Sequence, residues 1–284
     1  MGRYYLKHFA AAIAALSAAA TLVSVLFKVD CIKDNWVAGV IGASFVLAGS
    51  FAYACWQTRS KRKIILDLSS ELKLTICEGD LFEKKGIICI PFNEYFDTHV
   101  GNGVVDEDSI HGQFINKFYK DRVNDLEQKI RPLLPHEGVE EHSRRYDYCP
   151  KIKYPLGTCI DIREGENTYV LFALTHFDDN DKANVSRTEY TMVVGKLMEH
   201  LDSMVGGKPV FMPLFGTNLS RLRRTPQRIL LHLVDTLDFN DTCAIPGGAN
   251  IIVKSLSDVN VNLTTLEYIV KKGVSEDEID ESKA

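Results

Sequence analysis

The sequence contains no CxxC pair, no HExxH and no cluster of cysteine and histidine at metal-ligand spacing, which argues against a bound metal. It has no GxxxxGK[ST] segment, and this excludes a Walker-type ATPase. Ser203 and Ser220 lack the strand–turn–helix setting of a nucleophile elbow, so a serine hydrolase finds no support. Positive charge is not in excess either. The formal net charge of -5 and pI near 5.9 argue against a general nucleic-acid binder. The seven cysteines are an odd number, and several sit in apolar runs, as expected of reduced, partly buried thiols in a cytosolic domain. Two N-terminal stretches, Phe9 to Phe27 and Trp36 to Trp56, lack Asp, Glu, Lys and Arg altogether.

Each of these stretches approaches or exceeds the length of a membrane-crossing helix. Only Lys28 to Asn35 separates them, enough to turn a helical hairpin. Arg3 and Lys7 precede the first stretch, and Arg59, Lys61, Arg62 and Lys63 follow the second. By the positive-inside rule both the N-terminus and the large domain are expected in the cytoplasm. Trp36, Tyr53, Trp56 and Tyr4-Tyr5 suit interfacial belts. A cleaved signal peptide is the alternative for the first stretch. Small residues such as Gly39, Gly42 and Ala43 suit close helix packing, either within one chain or between copies. The expected organisation is a transmembrane hairpin with basic flanks over residues 1–63, then one domain over residues 64–284.

The domain reads as mixed α/β. Lys73–Cys77 and Gly86–Ile90 have strand character, and Asn93–Ser109 carries the turn residues of a long loop. Apolar spacing predicts helices over Ile110–Phe118, Ser186–Met204 and Pro226–Leu237. Leu156–Ile162 and Thr168–Leu174 suggest a strand pair, with further strands at Pro209–Leu214 and Asn250–Leu256. The tail beyond Gly273, with five acidic residues in Glu276 to Glu281, reads as a short solvated end.

Two polar loops carry the candidate chemistry. Glu78-Gly79-Asp80-Leu81-Phe82 follows a strand, with Asn93 and the Gly101-Asn102-Gly103 turn further on. The second loop is Leu214-Phe215-Gly216-Thr217-Asn218. In an α/β fold, ligands favour the crevice beyond the carboxyl ends of the strands. Glycines there let backbone N–H groups converge on a diphosphate without a P-loop lysine. Asp80 suits an exocyclic base amine, and equally a helix cap; the glycines equally suit ordinary turns. Arg221, next to the second loop, is a candidate for a phosphate or carboxylate, or is a solvated residue.

Gly79-Asp80-Leu81, the strand Gly86–Ile90, Pro91-Phe92-Asn93, Gly101–Gly103 and Pro213-Leu214-Phe215-Gly216 resemble, in that order, the elements of macro domains. The resemblance implies an α/β fold, a macro-like mixed sheet between helices, that binds ADP-ribose and its derivatives. It assigns adenine to Asp80, distal ribose and phosphate to Asn93 and Gly101–Gly103, and the second phosphate loop to Phe215–Asn218. With its two apolar stretches, the whole chain is similar to membrane effectors of Thoeris antiphage systems. That similarity implies a TIR-domain partner that makes an ADP-ribose-derived signal, with a histidine conjugate of ADP-ribose as the expected ligand. It implies further a homo-oligomer that damages the inner membrane and arrests the infected cell, with no catalytic residue and no cofactor. The alternative is a membrane-tethered ADP-ribosyl hydrolase. Against this, hydrolytic macro domains carry an asparagine-rich strand end and consecutive glycines, whereas Ile90 to Gly103 has neither.

Overall fold

Strands that bury both faces need apolar residues at nearly every position, and the central segments of this chain supply them. The computed structural model describes residues 61–68, 72–101, 104–136, 140–141, 149–177, 182–204, 206–217, 222, 224–239 and 245–281, together with 44, 45, 48, 49 and 52. The chain divides into two compact units, residues 62–266, and residues 1–61 with 267–284.

The larger unit is built on strands β1 (Lys63–Asp67), β2 (Lys73–Glu78), β3 (Ile87–Asn93), β6 (Cys159–Glu164), β7 (Asn167–Phe177), β9 (Val210–Pro213) and β10 (Ala249–Val253), in the order β1-β2-β10-β9-β3-β7-β6. The short strands β4 (Glu140–Glu141) and β5 (Ile152–Lys153) pair with each other, and β8 (Ala183–Asn184) pairs with the end of β7. From β2 to β7 the neighbours are parallel, and antiparallel β1 and β6 close the two edges. The five parallel strands β2, β10, β9, β3 and β7 end on the same side of the sheet. Their carboxyl ends define one rim.

Helices α1 (Ile110–Phe118), α2 (Val123–Ile130), α3 (Arg187–Met204), α4 (Pro226–Asp238) and α5 (Leu263–Glu281) complete the chain order. Side-chain alternation sorts the sheet residues. Ile88, Ile90 and Phe92 of β3 join Tyr169, Leu171 and Ala173 of β7 in one buried core with Phe114, Ile115 and Tyr119 from α1 and Leu126 and Ile130 from α2. Val170, Phe172 and Leu174 of β7 alternate with these and are also buried, on the face where α3 packs against β7 and α4. The sheet therefore lies between helical layers. At its β6 edge, Tyr119 donates its hydroxyl to Glu164 (2.7 Å), and Lys129 reaches the same carboxylate (2.7 Å). The Lys129 hydrogen bond, followed by that from Tyr119, holds the Glu164 carboxyl below its usual range. Among the described residues Cys77, Cys89 and Cys159 are free thiols, and burial pushes Cys159 up to about 12.

One sequence expectation changes and another is added to. No described helix is long and apolar enough to cross a membrane, so the transmembrane hairpin is not part of the observed architecture. The longest described helices carry charge throughout, as with Arg187, Glu189, Lys196, Glu199 and Asp202 on α3. Within Phe9–Phe27 and Trp36–Trp56, only residues 44, 45, 48, 49 and 52 are described, and the rest lies outside the described residues. The multi-pass inner-membrane location, lipid partner and membrane-disrupting role rested on that hairpin and are withdrawn with it. The addition is smaller: the backbone of the expected solvated end is helical through α5 to Glu281.

Phe114 is fully buried and contacts the rings of Phe92, Phe118, Tyr119 and Tyr169. Phe114→Ala is expected to cost about 3–5 kcal/mol of unfolding free energy, measured by denaturant titration, because a core filled from both α1 and the sheet cannot collapse into the cavity.

Candidate functional site

The rim of carboxyl ends opens into a crevice of about 480 Å³, within the range of small-molecule sites. One wall is the end of β3, with Pro91, Phe92 and Asn93, followed by Val104–Asp106 and the start of α1. The opposite wall is Leu214–Thr217 after β9. Thr175 and Phe177 of β7 and the segment Lys254–Val259 after β10 complete the lining.

The β3 wall is fixed by a polar turn. Asn93 is 4 % exposed and Asp97 1 % exposed. The Asn93 side-chain oxygen accepts the N–H of Tyr95 (3.0 Å) and of Asp97 (3.3 Å), while its amide nitrogen donates to the Asp97 carboxylate (3.0 Å). Phe96 inside this turn has a φ of 52°. The Asp97 carbonyl then accepts a hydrogen bond from Nε2 of His111 (2.8 Å), whose ring lies 3.6 Å, centroid to centroid, from that of Phe92. A carbonyl only accepts, so Nε2 carries the proton. Burial lowers the His111 pKa to about 3, so the imidazole is neutral near pH 7.

Helix α1 brings its N-terminus to the crevice. Ser109 caps it, its Oγ accepting the N–H of Gly112 (2.9 Å) and donating to the Asp106 carbonyl (2.6 Å). A Cβ on Gly112 would lie 2.2 Å from the Asp106 carbonyl oxygen, so only glycine lets the 106–109 loop fold onto the helix. Ile110 and His111 supply first-turn N–H groups that have no carbonyl partner within the helix. Across the crevice, Gly216 has a φ of 89°, and a Cβ there would meet Leu222 (2.7 Å) and Tyr190 (2.8 Å). The buried Tyr190 hydroxyl donates to the Phe215 carbonyl (3.3 Å) and holds the turn from behind. Side-chain charge in the lining is mixed, with Lys254 against Asp106, Asp108 and Asp258.

Of the residues singled out from sequence, Asn93, Leu214, Phe215, Gly216 and Thr217 line the crevice. Asp80 does not. It caps the 3-10 turn Leu81–Glu83, its Oδ1 accepting the Phe82 N–H (2.8 Å), and Leu81 is buried in the core. Because β2 neighbours β10, Asp80 stands one strand along from the crevice, near Val253, whose carbonyl accepts the Gly79 N–H. Gly101 has a φ of 91° and donates its N–H to the Val105 carbonyl, outside the lining. Asn102, Gly103, Asn218 and Arg221 lie outside the described residues. The Glu94 side chain accepts the Phe177 N–H (2.9 Å). His99 lies beside Glu127 (3.7 Å), outside the lining. Sequence reading missed Asp106, Asp108, Ser109, Lys254 and Asp258. Ser109 stands immediately before the predicted helix, the usual signal of an N-cap, whereas nothing local marks the turn after β10.

A mixed sheet between helices, with a crevice at the carboxyl ends of its parallel strands, defines a macro-type α/β domain. The sequence matches the family described as "Thoeris protein ThsA, Macro domain" over residues 74–254, more than half of the chain. The chain therefore belongs to the ThsA macro-domain family. It is 27% identical over 161 residues to Thoeris protein ThsA of Bacillus amyloliquefaciens (strain Y2), a match covering 56% of this chain and 52% of that protein. The chain thus spans about half the length of that relative. The fold is similar to the Oceanobacillus iheyensis macrodomain with ADP (TM-score 0.50, 11% identity, 74% of this chain and 97% of that one). A mutant of that macrodomain with ADPR gives a TM-score of 0.49 at 12% identity, over 74% of this chain and 99% of that one.

The buried imidazole makes a pH prediction. With the folded pKa near 3 and the unfolded value near 6.5, the unfolded chain binds a proton at His111 that the native chain does not. The His111 contribution is present above pH 6.5 and is lost as pH falls toward 3. Replacing His111 by Phe should flatten the stability–pH curve in this window by about 1.4 kcal/mol per pH unit, read from denaturant midpoints at several pH values.

Proposed function

We propose that this chain is the ligand-sensing component of a Thoeris antiphage system and captures an ADP-ribose-derived nucleotide in the crevice. The observation that carries the reading is the arrangement of the α1 N-terminus opposite the Gly216 turn, across the carboxyl ends of β3 and β9. Backbone N–H groups at such positions complement a diphosphate. Lys254 adds a cation at the same rim. Membership of the ThsA macro-domain family supports the biological setting, with the signal made by a TIR-domain partner. A histidine conjugate of ADP-ribose is the specific ligand proposed. Its ammonium or imidazolium group suits a lining that carries Asp106, Asp108 and Asp258.

In this reading the ligand is bound and not turned over. The amide of Asn93 is committed within its own turn, and the Nε2 proton of His111 to the Asp97 carbonyl. Neither arrangement prepares a general base for water.

Calorimetry of the full chain against ADP-ribose and its histidine conjugate, with the recovered ligand analysed by chromatography, tests the proposal. Saturable one-to-one binding of an intact ligand is expected, with the conjugate tighter. Lys254→Glu should weaken it about tenfold, close to 1.4 kcal/mol, without changing the unfolding midpoint. Absence of binding to either ligand overturns the reading, and recovery of cleaved products replaces it with a hydrolase.

A further inference from the structure

A second cavity, of about 180 Å³, lies behind the Gly216 turn, where the start of α3 meets the start of α4. Its lining is Arg187, Tyr190, Leu222, Arg224, Arg228, Ile229 and His232. Three of these seven are arginines and none is a carboxylate. Arg187 is the first residue of α3, Arg224 precedes the Thr225 N-cap of α4, and Arg228 lies in the first turn of α4. Their guanidinium groups make no hydrogen bond or ion pair among the described residues. Thr225 makes no side-chain cap to α4, and its backbone carbonyl accepts the Arg228 and Ile229 N–H groups.

Arg187, Arg224 and Arg228 are exposed around one concavity, and no carboxylate in the lining offsets their mutual repulsion. In a chain of net charge -5, carboxylates are abundant, so their absence here is specific to this cavity. The floor is rigid. Tyr190 is fully buried with its hydroxyl committed to Phe215, Ile229 is buried, and Nε2 of His232 lies 2.8 Å from Thr191 Oγ1. Arginine forks on a fixed base match the tetrahedral, multiply charged oxygens of a phosphoryl group better than a single carboxylate.

We propose that this cavity binds a phosphoryl or pyrophosphoryl anion, at a site separate from the crevice. The two sites stand back to back. Tyr190, Leu222 and Ile229 wall the second cavity and are also the atoms a Cβ on Gly216 would strike. None of the three arginines lines the crevice, so the inference holds whatever the crevice binds.

The probe is inorganic pyrophosphate, titrated by calorimetry into the full chain at constant ionic strength. Saturable binding is expected at or below about millimolar concentration. With the crevice first saturated with ADP-ribose, Arg228→Glu should weaken pyrophosphate binding about tenfold or more, and Arg187→Gln by a smaller factor. Circular dichroism of each variant, matching the parent, separates lost binding from lost fold. No saturable binding to a folded parent overturns the proposal. Loss on Lys254→Glu with retention on Arg228→Glu also overturns it, because the anion would then occupy the crevice. An equal response to chloride overturns it as general screening of surface charge.

Discussion

The structure around the crevice depends on the polar turn Asn93–Asp97. Two buried polar side chains satisfy each other and the local backbone, and the Asp97 carbonyl passes the constraint to His111 on α1. An unsatisfied buried amide or carboxylate costs about 1–3 kcal/mol or more, so the turn holds one arrangement. That arrangement places Phe96 at positive φ, a conformation costly for a bulky residue, which persists because its ring is buried against Phe92 and Tyr154. The end of β3 and the start of α1 are therefore joined at a fixed distance.

In the proposed function, the crevice would meet an anion with its backbone more than with its side chains. Its lining carries one lysine and three aspartates, and charge count alone would disfavour a phosphate. First-turn N–H groups of α1 and the turn at Gly216 supply localised positive ends at the crevice. Part of the acidic charge is also engaged locally. Asp106 Oδ1 accepts the Asp108 N–H at 2.8 Å and shapes the loop before Ser109. The division suits a ligand with an anionic middle and a cationic end.

Much of the sheet was legible because its signals are local. Ile110–Phe118 begins and ends as its apolar spacing and flanking Ser109 indicate, and the β6–β7 pair falls across the Gly165 turn where alternation placed it. β1 has no clear signal in the sequence, since it follows directly on the basic residues Lys61 and Arg62 and only Ile64 and Leu66 face the core. The crevice was half legible. Leu214–Thr217 follows a short apolar strand and could be placed at a rim, but Lys254 and Asp258 reach the same space only because β10 inserts between β2 and β9. Strand order is a non-local property, and no spacing in the sequence reveals it. Asp80 shows the same limit: its motif is clear, while the structure gives its carboxylate the Phe82 N–H. The apolar N-terminal stretches lie almost entirely outside the described residues, among which no helix has the length and apolar character to span a membrane.

Gly216 occupies the one point where both cavities meet. Its positive φ turns the chain sharply after β9, and its missing side chain lets Tyr190, Leu222 and Ile229 pack directly beneath the turn. On one side its backbone faces the crevice; on the other those three residues form the floor under Arg187, Arg224 and Arg228. Close-packed side chains transmit displacement because no free volume absorbs it. An anion that draws the arginines together therefore loads the same residues that support the crevice wall. By linkage, whatever affinity one occupant adds to or subtracts from the other must be returned in equal measure. The geometry permits that coupling without a hinge, since the turn itself is the shared wall.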